Sequence, residues 1–319
     1  MAQTLSHETG DVANDLDAAP VRPTDQRIET DSPARTYLAL AFGILCISLS
    51  AIFTTLADLP GTVSGFYRIA IALVALSPLF LRDVARGRVT ADRRIWLLAL
   101  AGGIFFALDI ALWNTSLFIT SAATATLLGN DAPIFVGLIA LVIFRERLSG
   151  AYWIGLAIAL VGMGIIAGPD LIARGTLGGG DALAAVAGIA YALYLVITQR
   201  VRGGMSTLPS LWVPALSGAA LLLVFNLATR QSLWGFSTHA WIMLLLLGLT
   251  SQVAGWLAIN YALGHLPASI VSPTLLCQPV LTALFAVPLL AQALDGSQII
   301  GGLVALVGIY LVNRGYSRH

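Results

Sequence analysis

Three ionisable side chains interrupt apolar runs about as long as a bilayer is thick. In the stretch LLGNDAPIF, residues 127–135, Asp131 stands beside Asn130 and just before Pro133. Arg68 and Asp109 interrupt two other runs. A charge at the bilayer centre costs roughly 2.5–3.5 kcal/mol on insertion scales, so each of the three must meet water, a partner or a ligand. A carboxylate held there can take a substrate ammonium or carry a proton. An arginine and an aspartate at one depth can instead neutralise each other. Other chemistries find no residues. HExxH and GxSxG are absent, and no pair of histidines falls at mid-depth. Cys46 and Cys277 both lie in apolar runs, which argues against a disulfide scaffold or a thiolate metal site. No metal, cofactor or catalytic residue is expected.

The elements that position these groups follow from composition. Hydrophobic residues make up 58% of the chain and charged residues 10%, against about 25% charged in a soluble domain. All 17 basic residues are arginine, the formal net charge is +1, and no basic patch is interleaved with stacking aromatics. Nucleic acid is therefore not an expected partner, whereas the lipid bilayer is. Residues 1–36 differ. They hold seven acids and three arginines and cannot bury enough apolar surface to order, so they read as a disordered cytoplasmic tail.

Beyond Arg35 the chain divides into ten apolar segments, each long enough to cross a membrane as a helix. They are 37–57, 61–81, 95–117, 121–144, 150–167, 181–199, 207–228, 240–263, 267–290 and 297–313. Ten passes put both termini on one side. That side collects Arg35, Arg82, Arg86, Arg88, Arg93, Arg94, Arg145, Arg147, Arg200, Arg202, Arg314 and Arg318, while the other holds Arg174 and Arg230. The positive-inside rule makes the arginine-rich side cytoplasmic, in a multi-pass protein of the cell (inner) membrane.

The chain also repeats itself. Shifting 113–166 by 146 residues brings Asn114 onto Asn260, Ala122 onto Ala268, Pro133 onto Pro279, Leu148 onto Leu294 and Gly155 onto Gly301. The string ALVG at 159–162 falls on ALVG at 305–308. A first five-helix repeat at 37–167 and a second at 181–314 have an odd number of passes, so the second enters from the opposite face. Carriers built this way bind substrate near the midplane, between the repeats.

These features resemble the EamA type of the drug/metabolite transporter superfamily. The resemblance covers about 37–314. GFYRIAIALVALSPLF is similar to that family's second helix with its arginine, FRERLSGAYWIGLAIALVGMGII to the end of its first repeat, and PVLTALFAVPLLAQALDGSQIIGGLVALVGIYLV to the end of its second. Gln292 stands where the family often has an acid matching Glu146. More narrowly, the chain is similar to the YddG-type exporters of aromatic amino acids. The resemblance implies an all-α membrane fold with a central cavity, export as the direction and an amino acid as substrate.

Reckoned at about 1.5 Å per residue, Asp131 lies ~15 Å below the outer surface. Tyr191, Tyr194, Gln252, Cys277, Gln278, Phe105, Phe106 and Ser48 reach a similar depth. The candidate substrate-binding residues are Asp131, Asn130, Phe106, Tyr191, Tyr194, Gln252, Gln278 and Ser48, with Trp113 and Trp256 as lids or as interfacial belt residues. Gln252 and Gln278 serve equally well as bonds between helices. Arg68 and Asp109 are expected to form a structural ion pair nearer the outer surface. Pro133, Pro273, Pro279 and Pro288 remove backbone donors in the fourth and ninth passes, as static kinks or as cavity lining. Gly155, Ala159 and Gly162, with Gly301, Ala305 and Gly308, form small-residue stripes suited to close helix contact, within the fold or between subunits of a homo-oligomer. The leading expectation is export of amino acids, with aromatic or other large neutral side chains, and of related small metabolites by alternating access. The alternatives are a broader drug/metabolite carrier and a non-transport membrane scaffold or channel.

Overall fold

A computed structural model of the chain describes residues 32–116, 119, 128–174, 178–291 and 296–316. The tail at 1–31, Gln292 and Leu294 lie outside the described residues. The first helix already begins at Pro33, inside the stretch expected to be disordered, with Ser32 capping it. Pro at the first helical position suits this start, because its missing N–H would have no intrahelical partner.

The described residues are helical and hold no strand. In chain order the helices are α1 (Pro33–Ser48), α2 (Ser50–Ala57), α3 (Gly61–Ala85), α4 (Arg93–Ser116), α5 (Ala132–Val142), α6 (Gly150–Arg174), α7 (Gly179–Arg202), α8 (Thr207–Ala228) and α9 (Thr238–Leu246). A π-helical segment, Leu247–Gly255, then leads into α10 (Trp256–Leu263). Next come α11 (Ala268–Leu275), α12 (Cys277–Leu290) and α13 (Gly296–Tyr316). Eight helical stretches are long and apolar enough to cross a membrane, three of them composite: α1–α2, α9 through α10, and α11–α12. Two further apolar helices, Ala132–Val142 and Gly150–Ile166, are shorter. The helices bare Val74, Leu81, Val142, Val161, Val224, Leu227 and Leu303 on their outer faces, as lipid contact requires.

The composite stretches break for identifiable reasons. At the end of α1 the Ser48 hydroxyl donates to Ile44 O at 2.6 Å, and α2 restarts at Ser50. Between α11 and α12 the break falls at Leu276, and Pro279 lies in the first turn of α12, where no N–H is needed. Pro133 has the equivalent place in α5, with Asp131 at the N-cap position. The carbonyls left over where α1 ends are taken by another stretch of chain: Thr282 Oγ1 on α12 donates to Ser48 O at 2.7 Å, and Gln278 Nε2 to Ile47 O at 3.4 Å.

Packing sorts the helices into a supporting pair and a ring. α6 packs along the length of α13. In the ring, α4 lies against α7 and α8, and α3 against α8 and the π-helical segment. α1 lies against that segment and α10, and α5 against α7 and α11. The small-residue stripes expected on α6 and α13 meet each other inside the chain: a Cβ at Gly155 would lie 2.8 Å from Gly308 O, and one at Gly301 2.5 Å from Gly162 O.

Candidate functional site

Four aromatic rings from three helical stretches converge. Phe106 on α4 lies 4.6 Å between centroids from Tyr194 on α7 and 5.2 Å from Trp256 at the start of α10. Tyr194 and Trp256 are 5.1 Å apart. Tyr191, one turn before Tyr194, closes the group at 6.1 Å from Trp256 and 6.5 Å from Tyr194. Edge-to-face and offset geometries of this kind hold aromatic rings in a fixed shape. Phe106, Tyr194 and Trp256 are buried, whereas Tyr191 keeps partial exposure.

Arg68 reaches this group from α3. Its guanidinium carbon sits 5.7 Å from the centre of the Phe106 ring, a cation–π placement. Its Nε donates to Gln252 Oε1 at 2.7 Å, and its Nη groups make no hydrogen bond with any described residue. The ion pair expected with Asp109 is not seen as a direct contact among the described residues. Asp109 attracts Arg68 at longer range, with no hydrogen bond between them. Reckoning depth from Cα places the two residues together, but the long arginine side chain carries its charge a turn away from its own Cα, into the aromatic layer. Gln252 is thus a partner of Arg68, a bond between helices of the kind anticipated for it.

A second group lies beside the first. Asp109 on α4 is within Coulombic reach of Arg68, of Tyr191 and of Asp131. Asp131 lies against α7 at Gly188, where a Cβ would collide with its Oδ1. Oδ1 is buried and has no hydrogen-bond partner among the described residues. The Trp113 ring covers Gly129, with Nε1 3.1 Å from where a Cβ would be. Asn130 is partly exposed next to it.

Ser48 and Gln278 bond to the backbone near the end of α1. Ser48 is fully buried, its hydroxyl engaged by Ile44 O. Gln278 reaches Ile47 O on the same broken helix.

The floor of the aromatic group was not anticipated as a site. The Tyr194 hydroxyl adjoins Asn260 and Thr198. Asn260 Nδ2 donates to Trp256 O at 2.9 Å, and Asn260 O accepts from Arg202 Nε at 2.8 Å. The sequence signal was present, since an asparagine in an apolar run recurs as Asn114 at the repeat offset. Towards the Arg200 end of α7, two more bonds join helix ends. Glu146 Oε2 accepts from Ser269 Oγ at 2.8 Å, and Gln199 Oε1 accepts from the Ala268 N–H at 2.8 Å.

Chemically, the arrangement offers a guanidinium whose Nη donors are unbonded among the described residues, an aromatic wall and two carboxylates in sequence. Comparison with known proteins gives this geometry a context. A probable terminal-alkyne amino-acid exporter of Streptantibioticus cattleyicolor is 28% identical over 253 residues, 77% of this chain and 82% of that one. An uncharacterized transporter of Archaeoglobus fulgidus is 28% identical over 87% of this chain and 97% of its own length. One of Clostridium kluyveri is 23% identical over 75% and 78%. A crystal structure at 20% identity superposes with a TM-score of 0.73, covering 89% of this chain and 98% of that one, and so shares the fold. The EamA-like transporter family matches twice, over residues 34–168 and 178–314. With both matches spanning nearly all of the chain after its acidic tail, the protein belongs to the EamA-like transporter family.

Proposed function

We propose that the chain is a ten-pass carrier of the inner membrane that exports amino acids with aromatic or other large neutral side chains, and related small zwitterions, by alternating access. The observation that carries this reading is the Arg68 guanidinium, fixed by Gln252 with its Nη donors unbonded among the described residues, at the edge of the ring group and in Coulombic reach of Asp109. Arg68 would take the substrate carboxylate through paired charge-assisted bonds. Asp109 and Asp131 would take the ammonium, which also relieves the repulsion between the two carboxylates. The faces of Tyr191, Phe106 and Trp256 would meet the side chain, with Trp113 and Asn130 on the Asp131 side. Ser48 and Gln278 would act through the backbone of the broken helices and not as ligands.

The inverted arrangement is supported by several features. The family matches twice in tandem. Exchanging the halves turns the α4–α7 packing into that of the α9–α10 stretch on α1, and leaves α3–α8 and α6–α13 as they are. Pro133 and Pro279 each lie in the first turn of a helix, α5 and α12. The arginine distribution supports cytoplasmic termini. The exporter of Streptantibioticus cattleyicolor supports an amino-acid substrate. The same rings and carboxylates would also suit a lipophilic amine, the broader drug/metabolite reading, but such a ligand has no use for Arg68.

Purified protein in liposomes decides between them. Saturable counterflow of L-phenylalanine, competed by L-tryptophan and L-leucine and lost in Arg68→Gln, is expected. Flux of amines that ignores Arg68→Gln would replace the amino-acid reading with the broader one. No saturable flux of either class would leave a scaffold or channel. C-terminal reporter fusions test the topology, and an external C-terminus would overturn ten passes.

A further inference from the structure

We propose that Gln252 is a positioning residue, which locks the Arg68 guanidinium so that only its Nη edge is available to a ligand. This rests on the reading of Arg68 as the carboxylate-binding group. A guanidinium has five N–H donors in a planar fork and can meet a carboxylate side-on, through Nε and one Nη, or end-on, through both Nη groups. The 2.7 Å bond from Nε to Gln252 Oε1 removes the side-on choice and fixes the plane. The partner is a neutral amide. A carboxylate at 252 would cancel the charge that a substrate is meant to find.

Gln252 is itself held. It is 2% exposed and sits in the π-helical segment Leu247–Gly255. Neighbouring Ser251 Oγ donates to Cys46 O at 3.0 Å, tying the segment to α1. A Cβ at Gly248 would lie 2.6 Å from Ile71 Cγ2 and 3.4 Å from Arg68 O, so the segment abuts α3 at the turn that carries Arg68. At its far end a Cβ at Gly255 would lie 2.9 Å from Ile47 Cγ2. π-helical insertions in α-helices recur at functional positions, mostly as single turns, whereas this one runs for nine residues. The amide therefore has little freedom to turn away. Without it, Arg68 is drawn to Asp109, the carboxylate it already attracts but does not touch. That ion pair would close the site upon itself. Gln252 thus keeps a cation and an anion of one site apart, each ready for its own end of a zwitterion.

Three probes separate this from packing: L-phenylalanine, 3-phenylpropionate (no amine) and phenethylamine (no carboxylate). In Gln252→Leu the apparent KM for L-phenylalanine and the inhibition constant of 3-phenylpropionate rise about tenfold, the scale of one charge-assisted hydrogen bond. Phenethylamine inhibition and maximal rate stay within about twofold. Gln252→Glu abolishes inhibition by 3-phenylpropionate and spares phenethylamine. An equal shift for all three probes, or no shift, overturns the proposal. A ligand-free readout runs alongside. The Arg68 Nε–H resonance, identified by its loss in Arg68→Lys, is protected from exchange in lipid nanodiscs and loses that protection in Gln252→Leu. Unchanged protection overturns the proposal whatever transport does. If the wild-type protein binds none of the probes, the carrier reading falls while the resonance still decides the role of Gln252. Should Gln252→Leu not fold, Gln252→Asn, which keeps the amide and shortens its reach, takes its place in both measurements.

Discussion

The α6–α13 pair and the wall around Arg68 cross the same membrane and are built on opposite terms. Along α6 and α13, backbone meets backbone: a Cβ at Gly162 would lie 2.5 Å from Gly301 O, and one at Gly308 2.5 Å from Gly155 O. Glycine at these positions makes that approach possible. Around Arg68, contact is made by side chains, four rings, an amide and a guanidinium. Lipid tails are as apolar as leucine, so helices in a bilayer gain little from burying apolar groups against each other. Close packing of small residues and hydrogen bonds between helices replace that drive. The chain combines the two devices in different proportions. Along α6 and α13 close packing stands by itself; around Arg68 it recurs, as where a Cβ at Gly43 would lie 2.9 Å from Gly255 O, but polar bonds between helices are added to it.

The sharpest break of this contrast is a large side chain in the seam. Gly162→Leu or Gly308→Leu forces apart two backbones with no flexible atom to yield. Folded yield is expected below roughly a tenth of wild type on detergent size-exclusion chromatography, since overpacking against backbone sits at the severe end of point substitutions. Normal yield would mean that the seam is not the scaffold. Next comes Arg68→Gln, which should fold, because its direct bond is to a neutral amide, yet weaken L-phenylalanine binding about a hundredfold, as loss of a desolvated charge partner does. Exchanging the charges of Arg68 and Asp109 should not restore it. Restoration would reinstate the direct ion pair.

Asp131→Asn should weaken L-phenylalanine and phenethylamine about tenfold and leave 3-phenylpropionate unaffected. Gly188→Ala, which crowds the same carboxylate from α7, should act in the same direction with less force, read in the same competition assay. If both variants transport normally, Asp131 has a structural role. The smallest effect is expected at Ser48→Ala. Transport should stay within about twofold, because this hydroxyl bonds only the backbone of its own helix.

Element positions were legible because bilayer thickness is a strict ruler. The apolar segment at 207–228 coincides with α8, and 240–263 differs from α9 through α10 by two residues at its start. Depth, which is periodic in sequence, put Phe106, Tyr191 and Tyr194 in one layer, whereas Trp256 was expected outside it as a lid or belt residue and instead packs against all three rings. The Gln252 and Phe106 contacts of Arg68 were not legible, because depth belongs to Cα while charge rides on a long side chain. The π turn at 247–255 left no mark of its own, because Gly248 and Gly255 are also ordinary helix-packing residues. Ser48 shows the converse. Its depth matches the layer, but hydroxyls in lipid turn readily to the preceding carbonyl, and depth does not say which way a hydroxyl points.

The break after α1 is completed from far along the chain, by Thr282 and Gln278 on α12. In evolutionary terms, the two family-sized halves are not interchangeable cassettes. The first half carries exposed carbonyls that the second half must cap, and hydrocarbon offers no water as a substitute. A half-length ancestor with this break would have needed a second copy before it was stable in a membrane. Pairing would then have come before the fusion that made one chain of two.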